Sequence, residues 1–213
     1  MEEHKGEGEV PHPRTPTHQG REDYKNFCHW LRRSILKPEK TLSAQQIYQG
    51  RAVNIRVDTI EKASGKRTTR DVVEHADCVA VVVLDEQGNV LLVRQFRHPV
   101  GKSLLEVPAG GIDPGEEPVE SVRRELQEEI GYLPHKIEKL GGFYSVPGYG
   151  TEYLHCFVAT DLVPSRLIAE DTDDIELVRV SLDDIPRLIA SGEICDSKTI
   201  AGLLMFLSIR QVK

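Results

Sequence analysis

Residues 104–134 read LLEVPAGGIDPGEEPVESVRRELQEEIGYLP, which predicts a glycine-rich loop followed by one amphipathic helix. Pro118 suits the first turn of a helix and Gly131 suits its end, so the helix is predicted to run from 118 to 130. At about 100° per residue, a set of apolar side chains falls on one side of this helix and is predicted to pack into the core. These side chains are Val119, Val122, Leu126 and Ile130.

Acidic side chains lie beside this apolar face. Glu129 follows Glu125 by four residues and Glu128 follows it by three, so the three carboxylates converge on one flank of the helix. Like charges at this spacing cost about 0.2–0.5 kcal/mol per pair, and acids near a helix C-terminus oppose its dipole. A bound Mg²⁺ or Mn²⁺ would reverse both penalties, because hard cations prefer oxygen ligands. The alternative is a solvated acidic helix face, which charge runs often form.

The order and spacing of residues around these carboxylates carry more information than the charge alone. Nine defined positions fall within the 23 residues that begin at Gly110. They are Gly110, Glu116, Arg124, Glu125, Leu126, Glu128, Glu129, Gly131 and Tyr132. This pattern resembles the Nudix box at every specified position. The resemblance implies an α/β/α sandwich around a mixed β-sheet, and an enzyme that hydrolyses nucleoside diphosphates linked to another moiety.

The resemblance also implies roles for individual residues of the loop and the helix. The implied metal ligands, for Mg²⁺ (or Mn²⁺), are Glu125, Glu128, Glu129 and the carbonyl oxygen of Ala109. Arg124 and Glu116 are implied to hold these ligands in place, and the loop glycines Gly110 and Gly111 to lie against the substrate. In chemical terms, the metal would neutralise charge that develops on a diphosphate and lower the pKa of an attacking water.

Segments outside the box resemble the ADP-ribose pyrophosphatase branch of the family. They are GRAVNIRVDTI (50–60), KRTTRDVVEH (66–75), VRQFRHPVGKSLLEVPAG (93–110) and FYSVPGYGTE (143–152), the last of which contains Pro147. The resemblance implies hydrolysis of ADP-ribose, or a related ADP-sugar, to AMP and sugar phosphate, and it implies a homodimer. The alternatives are another nucleotide sugar such as GDP-mannose, and a non-catalytic sensor that binds ADP-ribose.

Basic residues are candidates for contacts to the diphosphate. Arg97 matches an arginine that contacts the diphosphate in relatives, and a guanidinium can hold two phosphate oxygens at once. Its alternative role is a surface ion pair. Arg70 is a second candidate, acting across a dimer. Glu106 could contact substrate hydroxyls or make a purely structural hydrogen bond.

An acidic run, AEDTDDIE (169–176), follows the later strand patterns. In similar enzymes a Glu of this loop activates water or completes the metal site. Asp171 and Asp173 match that position best here, so this chain departs from the usual Glu, and a shorter carboxylate must approach the water more closely. A solvated loop is the alternative, and Glu152 is an outside candidate for the base.

The remaining patterns predict an α+β fold. Period-two apolar runs predict strands on both sides of the central helix, and helical patterns at 182–190 and 198–209 close the chain. Residues 1–22 are expected to form a loose tail, 23–40 an N-terminal helix and linker, 41–75 an N-terminal β-hairpin layer used in dimerisation, and 76–213 a Nudix hydrolase domain.

Composition excludes several functions. A net charge of -7 argues against nucleic acid as a partner. The expected ligand, a small nucleotide sugar, is what the family resemblance implies. The four cysteines are scattered, with no CxxC pair, so neither a zinc site nor a disulfide framework is predicted, and the histidines show no ligand spacing. No apolar run approaches a membrane span, and a cytoplasmic location is expected.

Overall fold

The computed structural model of the chain describes residues 37–169 and 174–210. The tail and helix predicted before residue 37, and the candidate residues Asp171 and Asp173, lie outside the described residues. Within the described ranges, no helix is both long enough and apolar enough to cross a membrane.

An antiparallel sheet of three strands forms the N-terminal layer. Its strands are β1 (Lys40–Gln49), β2 (Asn54–Glu61) and β3 (Arg67–Glu74). Strands β2 and β3 are the predicted hairpin, whereas β1 is an additional strand that the sequence did not predict. All ten residues of β1 are exposed. A strand with no buried face does not require the alternation of apolar and polar residues by which strands are predicted from a sequence.

A mixed sheet of seven strands forms the centre of the molecule. Its strands are β4 (Cys78–Leu84), β5 (Asn89–Arg97), β6 (Lys102–Glu106), β7 (Ala109–Gly111), β8 (Tyr132–Tyr144), β9 (Tyr153–Pro164) and β10 (Glu176–Ser181). Five of them lie in the order β10-β5-β4-β9-β8, with β6 paired to β5 and β7 paired to β4. Strands β4 and β9 are parallel and place Cys78 beside Leu154, while the other pairs are antiparallel.

In the described part of the chain, three α-helices cover the two faces of this sheet: α1 (Pro118–Glu129), α2 (Ile185–Ser191) and α3 (Ser197–Arg210). Successive side chains of a strand point to opposite faces, so the continuous apolar run of β4 serves two cores. One core joins odd-numbered residues of β4 to α1, through Val79, Val81, Val83, Val122 and Leu126. The other joins even-numbered residues to α2 and α3, through Ala80, Val82, Ile185, Leu203 and Phe206. The expected α/β/α sandwich is therefore confirmed.

Helix α1 starts at the predicted Pro118 and stops just before Gly131, whose φ of 77° suits glycine. Val122 and Leu126 are fully buried, but Val119 is 36% exposed, so the prediction that Val119 packs into the core is wrong. The buried face is turned toward the acidic flank, where Glu125 and Glu129 are buried too. Val119, in the first turn, lies at the edge of this face.

Candidate active site

Two glutamates of α1 are buried against the glycine-rich loop. Glu125 is 8% and Glu129 7% exposed. The backbone N–H of Ala109 donates a hydrogen bond of 3.1 Å to Oε2 of Glu129. A Cβ atom at Gly110 would collide with the carboxylate of Glu125, so only glycine lets the loop approach the helix this closely. The predicted meeting of loop and acidic helix is thus present in the structure.

Burial makes these two carboxylates poor anions in the absence of a cation. Burial, with the charge of Glu125 beside it, raises the pKa of Glu129 to about 8. Burial likewise raises the pKa of Glu125 above its ordinary value. Two acids brought together in this way are stabilised by a divalent cation, and their all-oxygen donor set suits Mg²⁺ or Mn²⁺. The residues present therefore fit the metal that the sequence suggested.

Arg124 joins the loop to the helix. Its Nε and Nη2 donate hydrogen bonds of 3.0 and 2.9 Å to the two carboxylate oxygens of Glu116, and Nη2 also donates to the carbonyl oxygen of Gly111 at 2.8 Å. Its Nη1 donates to Glu125 at 2.6 Å. The hydrogen bonds from Arg124 to Glu116 lower the pKa of Glu116 to about 2. Arg124 is therefore placed to orient the loop and Glu125 together, as a supporting residue would.

Glu128 is placed differently from its two neighbours. Its side chain is 19% exposed, and its one hydrogen bond in the described part of the chain comes from Nη1 of Arg124, at 3.4 Å. The paired bonds from Arg124 to Glu116 are shorter, at 3.0 and 2.9 Å. Glu128 is thus the most accessible of the three candidate carboxylates.

A cleft of about 380 Å³ opens beside the loop. Its walls contain Cys78, Arg97, Ala109, Gly110, Ser145, Glu152, Leu154, Asp196, Ser197 and Lys198. Glu125 and Glu129 are not among these wall residues, but Ala109 and Gly110 both line the cleft and contact the two glutamates. The loop therefore borders both the buried acids and a space that could hold a small molecule.

Buried Glu106 holds two cations of the cleft. It is 1% exposed and accepts hydrogen bonds from Arg97, at 2.9 Å from Nε and 2.7 Å from Nη2, and from Nζ of Lys198. Burial favours the neutral acid, but Arg97 and Lys198 outweigh it, so the pKa of Glu106 lies below its ordinary value. Of the two roles considered for Glu106, this geometry favours the structural one. Arg97 lines the cleft and is anchored at the same time.

Several cleft residues were missed by the sequence reasoning, above all Lys198, Asp196 and Ser197 at the start of α3. Lys198 lies 92 residues beyond Glu106 in the sequence, and none of the three residues belongs to the Nudix box. The motif DSKT (196–199) does contain a helix N-terminal signal, since Oδ1 of Asp196 accepts from the N–H of Thr199 at 3.1 Å. That signal could have located the helix, but not its position beside Glu106.

Other candidate residues lie away from these contacts. Arg70 is on β3 and pairs with Glu39, at 2.6 Å, and it is not a wall residue of the cleft. Pro147 lies in a turn in which the N–H of Gly150 donates to the carbonyl of Val146 at 2.8 Å. The turn links two residues that do line the cleft, Ser145 and Glu152.

Comparison with known proteins finds one matching family model and several similar proteins. A family model described as the NUDIX domain matches residues 74–202. An ADP-ribose pyrophosphatase of Bacillus subtilis (strain 168) is 34% identical over 175 residues, which cover 81% of this chain and 94% of the relative. A methanol dehydrogenase activator of Bacillus methanolicus is 35% identical over 167 residues, covering 78% and 90%. A GDP-mannose pyrophosphatase of Yersinia pestis (strain Pestoides F) is 31% identical over 160 residues, covering 70% and 79%.

A solved structure described as an ADP compounds hydrolase has the same fold, with a TM-score of 0.77 at 21% identity over 84% of this chain and 97% of that one. The domain match extends over more than half of the sequence and includes the loop, the acidic helix and the walls of the cleft. The chain therefore belongs to the Nudix hydrolase family.

Proposed function

We propose that this protein hydrolyses the diphosphate bond of ADP-ribose, or of a related ADP-sugar, to AMP and a sugar phosphate, with the help of a divalent cation. The observation that carries the proposal is the pair of buried carboxylates, Glu125 and Glu129, packed against a loop that also lines a cation-bearing cleft. Two buried carboxylates that lie side by side are costly as anions, and a metal ion that also binds a diphosphate removes that cost.

In this proposal Glu125, Glu128 and Glu129, with the carbonyl oxygen of Ala109, bind Mg²⁺ (or Mn²⁺). When bound, such an ion supplies charge neutralisation to the diphosphate and acidifies a water molecule. Arg124 keeps the carboxylate of Glu125 oriented by its hydrogen bond of 2.6 Å.

Arg97 and Lys198 are the proposed contacts to the substrate phosphates, and Gly110 and Gly111 form the loop against which the substrate lies. Two nitrogens of the Arg97 guanidinium bind Glu106, while Nη1 makes no hydrogen bond to a described residue. Anchored in this way, the guanidinium needs little further ordering to bind an anion. The general base is proposed to be Asp171 or Asp173.

A nucleotide-sugar activity panel tests the proposal. Purified protein with Mg²⁺ and ADP-ribose is expected to release AMP, and Glu129→Gln is expected to abolish the release while Glu120→Gln, on the exposed side of the same helix, is not. Release of product from GDP-mannose but not from ADP-ribose would replace the substrate and keep the chemistry. Binding of ADP-ribose without turnover of any nucleotide sugar would favour the sensor.

We further propose a homodimer built through the three-stranded sheet. Strand β1 leaves Leu42, Ile47 and Tyr48 exposed, at 38%, 56% and 54%, which is unusual for three apolar side chains on one outer strand. A partner subunit on this sheet would bury them and could bring Arg70 toward the substrate of the other subunit. Light scattering should give twice the mass of the chain, and a monomer at assay concentrations would reject the dimer.

A cytoplasmic location is part of the same proposal. The described thiols Cys78, Cys156 and Cys195 are all free, as thiols are in reducing compartments.

A further inference from the structure

Three potential metal ligands that are far apart in the sequence meet at one end of the parallel β4–β9 pair. His75 lies just before β4, Cys78 is the first residue of β4, and Glu152 lies just before β9. The pairing of Cys78 with Leu154 puts the starts of the two strands side by side. One ligand atom from each of the three side chains lies within 4.8 Å of the others.

The separations between these atoms suit a single small cation. Nδ1 of His75 lies 3.6 Å from Oε1 of Glu152 and 3.9 Å from Sγ of Cys78. Around a tetrahedral zinc ion with bonds of about 2.0 Å to nitrogen and oxygen and about 2.3 Å to sulfur, ligand atoms are separated by roughly 3.3–3.7 Å. The carbonyl oxygen of Ala76 lies 2.7 Å from Nδ1 and 3.7 Å from Sγ. It is too close to Nδ1 to be a second ligand of the same ion, and it accepts a hydrogen bond from Nδ1 that a bound ion would break.

The cluster is held in place by the backbone. The N–H of His75 donates to Oγ1 of Thr151 at 3.0 Å, and the same hydroxyl donates to the carbonyl of His75 at 3.1 Å. On the preceding residues, Val73 exchanges hydrogen bonds with Tyr149 and Thr151, at 2.8 and 3.1 Å. The segments that carry His75 and Glu152 are therefore tied together without any metal, so little ordering is needed for a cation to bind.

We propose that His75, Cys78 and Glu152 form a binding site for a borderline divalent cation such as Zn²⁺, separate from the carboxylate site on α1. The donor set decides the class of ion, because thiolate and imidazole favour zinc and similar transition metals, whereas Mg²⁺ prefers oxygen ligands throughout. The ion would lie in the wall of the proposed substrate cleft, which Cys78 and Glu152 both line.

Without a cation, the thiol is kept protonated. Burial has the largest effect on the thiol and the neighbouring Glu152 adds to it, and together they raise the pKa of Cys78 to about 12. A bound divalent ion displaces the thiol proton to solvent and replaces it with a metal–sulfur bond, and no electron is transferred. The ion also requires the lone pair of Nδ1, so the imidazole ring is bound in the tautomer that carries its proton on Nε2.

Cobalt titration tests the site, because Co²⁺ bound to a thiolate absorbs in the near ultraviolet and Co²⁺ bound to oxygen alone does not. The test protein is the full chain with Cys28→Ser, which removes the thiol of the N-terminal region. One equivalent of Co²⁺ is expected to produce the thiolate band, Zn²⁺ is expected to remove it, and a hundredfold excess of Mg²⁺ is not. Absence of the band at saturating Co²⁺ would overturn the proposal.

Variants identify the ligands. Cys78→Ser is expected to abolish the band, while the matched control Cys195→Ser, an exposed thiol elsewhere, keeps it. His75→Gln and Glu152→Gln change only partly exposed side chains and are each expected to weaken Co²⁺ binding at least tenfold, with circular dichroism spectra unchanged. A band that persists in Cys78→Ser, or binding unaltered in both Gln variants, would contradict the assignment.

The variant Glu129→Gln distinguishes the α1 site from the site of His75, Cys78 and Glu152. This variant is expected to keep the cobalt–thiolate band and to lose hydrolysis. Failure of the cobalt test therefore leaves the proposed hydrolysis standing, and failure of the AMP assay leaves the zinc site standing.

Discussion

Replacing Glu129 with glutamine removes a buried charge. The variant therefore distinguishes the cost of that charge to the stability of the fold from its proposed role in binding the metal. The pKa of this carboxyl is about 8 in the folded protein and 4.5 in the unfolded chain, because burial disfavours the anion. Its folded-state pKa is raised, so the full stability is present below pH 4.5 and is lost as the pH rises through 8. The loss amounts to roughly 3 kcal/mol at pH 7 and roughly 5 kcal/mol well above pH 8.

The amide of glutamine has no such charge, and its oxygen can still accept the hydrogen bond from the N–H of Ala109. Part of the gain is offset by local relaxation and by the extra amide donors, so metal-free Glu129→Gln is expected to be more stable than the wild type by about 1–3 kcal/mol at pH 8. For a protein of this size that corresponds to a melting temperature higher by about 2–10 °C. At pH 5 the two proteins should melt within about 2 °C of each other.

The assay is thermal unfolding followed by circular dichroism in EDTA and in Mg²⁺, at pH 5 and pH 8, beside AMP release from ADP-ribose. Mg²⁺ should raise the melting temperature of the wild type, and it should raise that of Glu129→Gln much less, because a ligand that binds the folded state stabilises it more when it binds more tightly. Activity should fall by at least a hundredfold. Glu120→Gln, a surface change on the same helix, should match the wild type throughout. The reasoning is refuted if the metal-free variant is no more stable than the wild type at pH 8 and Mg²⁺ stabilises both equally.

Three further outcomes are expected. Gly110→Ala should reduce both activity and stability, because its Cβ would collide with the carboxylate of Glu125, whereas Gly111→Ala meets nothing within 4 Å and should be tolerated in thermal melts. Arg124→Lys should lower kcat about tenfold or more, since an ammonium cannot make the paired bonds to Glu116 at 3.0 and 2.9 Å, and unchanged kinetics would contradict its supporting role. Chelation with EDTA should stop AMP release, and Mg²⁺ or Mn²⁺ should restore it; turnover that survives dialysis against EDTA would exclude the metal.

Local signals in the sequence were sufficient to predict the acidic helix. Pro118, the apolar spacing and Gly131 predicted its limits to within one residue, because helix termini depend on the residues next to them. The spacing of Glu125 and Glu129 likewise placed them on one flank, since side chains four residues apart are neighbours on any α-helix. The continuous apolar run of β4 is typical of a strand that is buried on both faces, and β4 is buried along almost its whole length.

Other predictions failed or fell short where packing decided the outcome. Val119 was expected in the core and is exposed, because the buried face of α1 includes Glu125 and Glu129 and leaves Val119 at its edge. Strand β1 was not predicted, since its ten residues are all exposed and carry no alternation. The choice between the two roles of Glu106 also required the structure, which gives it two cationic partners.

By itself, then, the sequence determined what depends on neighbours along the chain: the loop and helix of the Nudix box, the order of the candidate metal ligands and the buried strands. Only the tertiary structure decided which distant residues share a site. Lys198 reaches Glu106 across 92 residues, and Cys78 meets Glu152 because β4 and β9 run parallel from a common end. Parallel pairing brings together residues that are separated by a long connection, and no periodicity in the intervening chain records which residues will be adjacent.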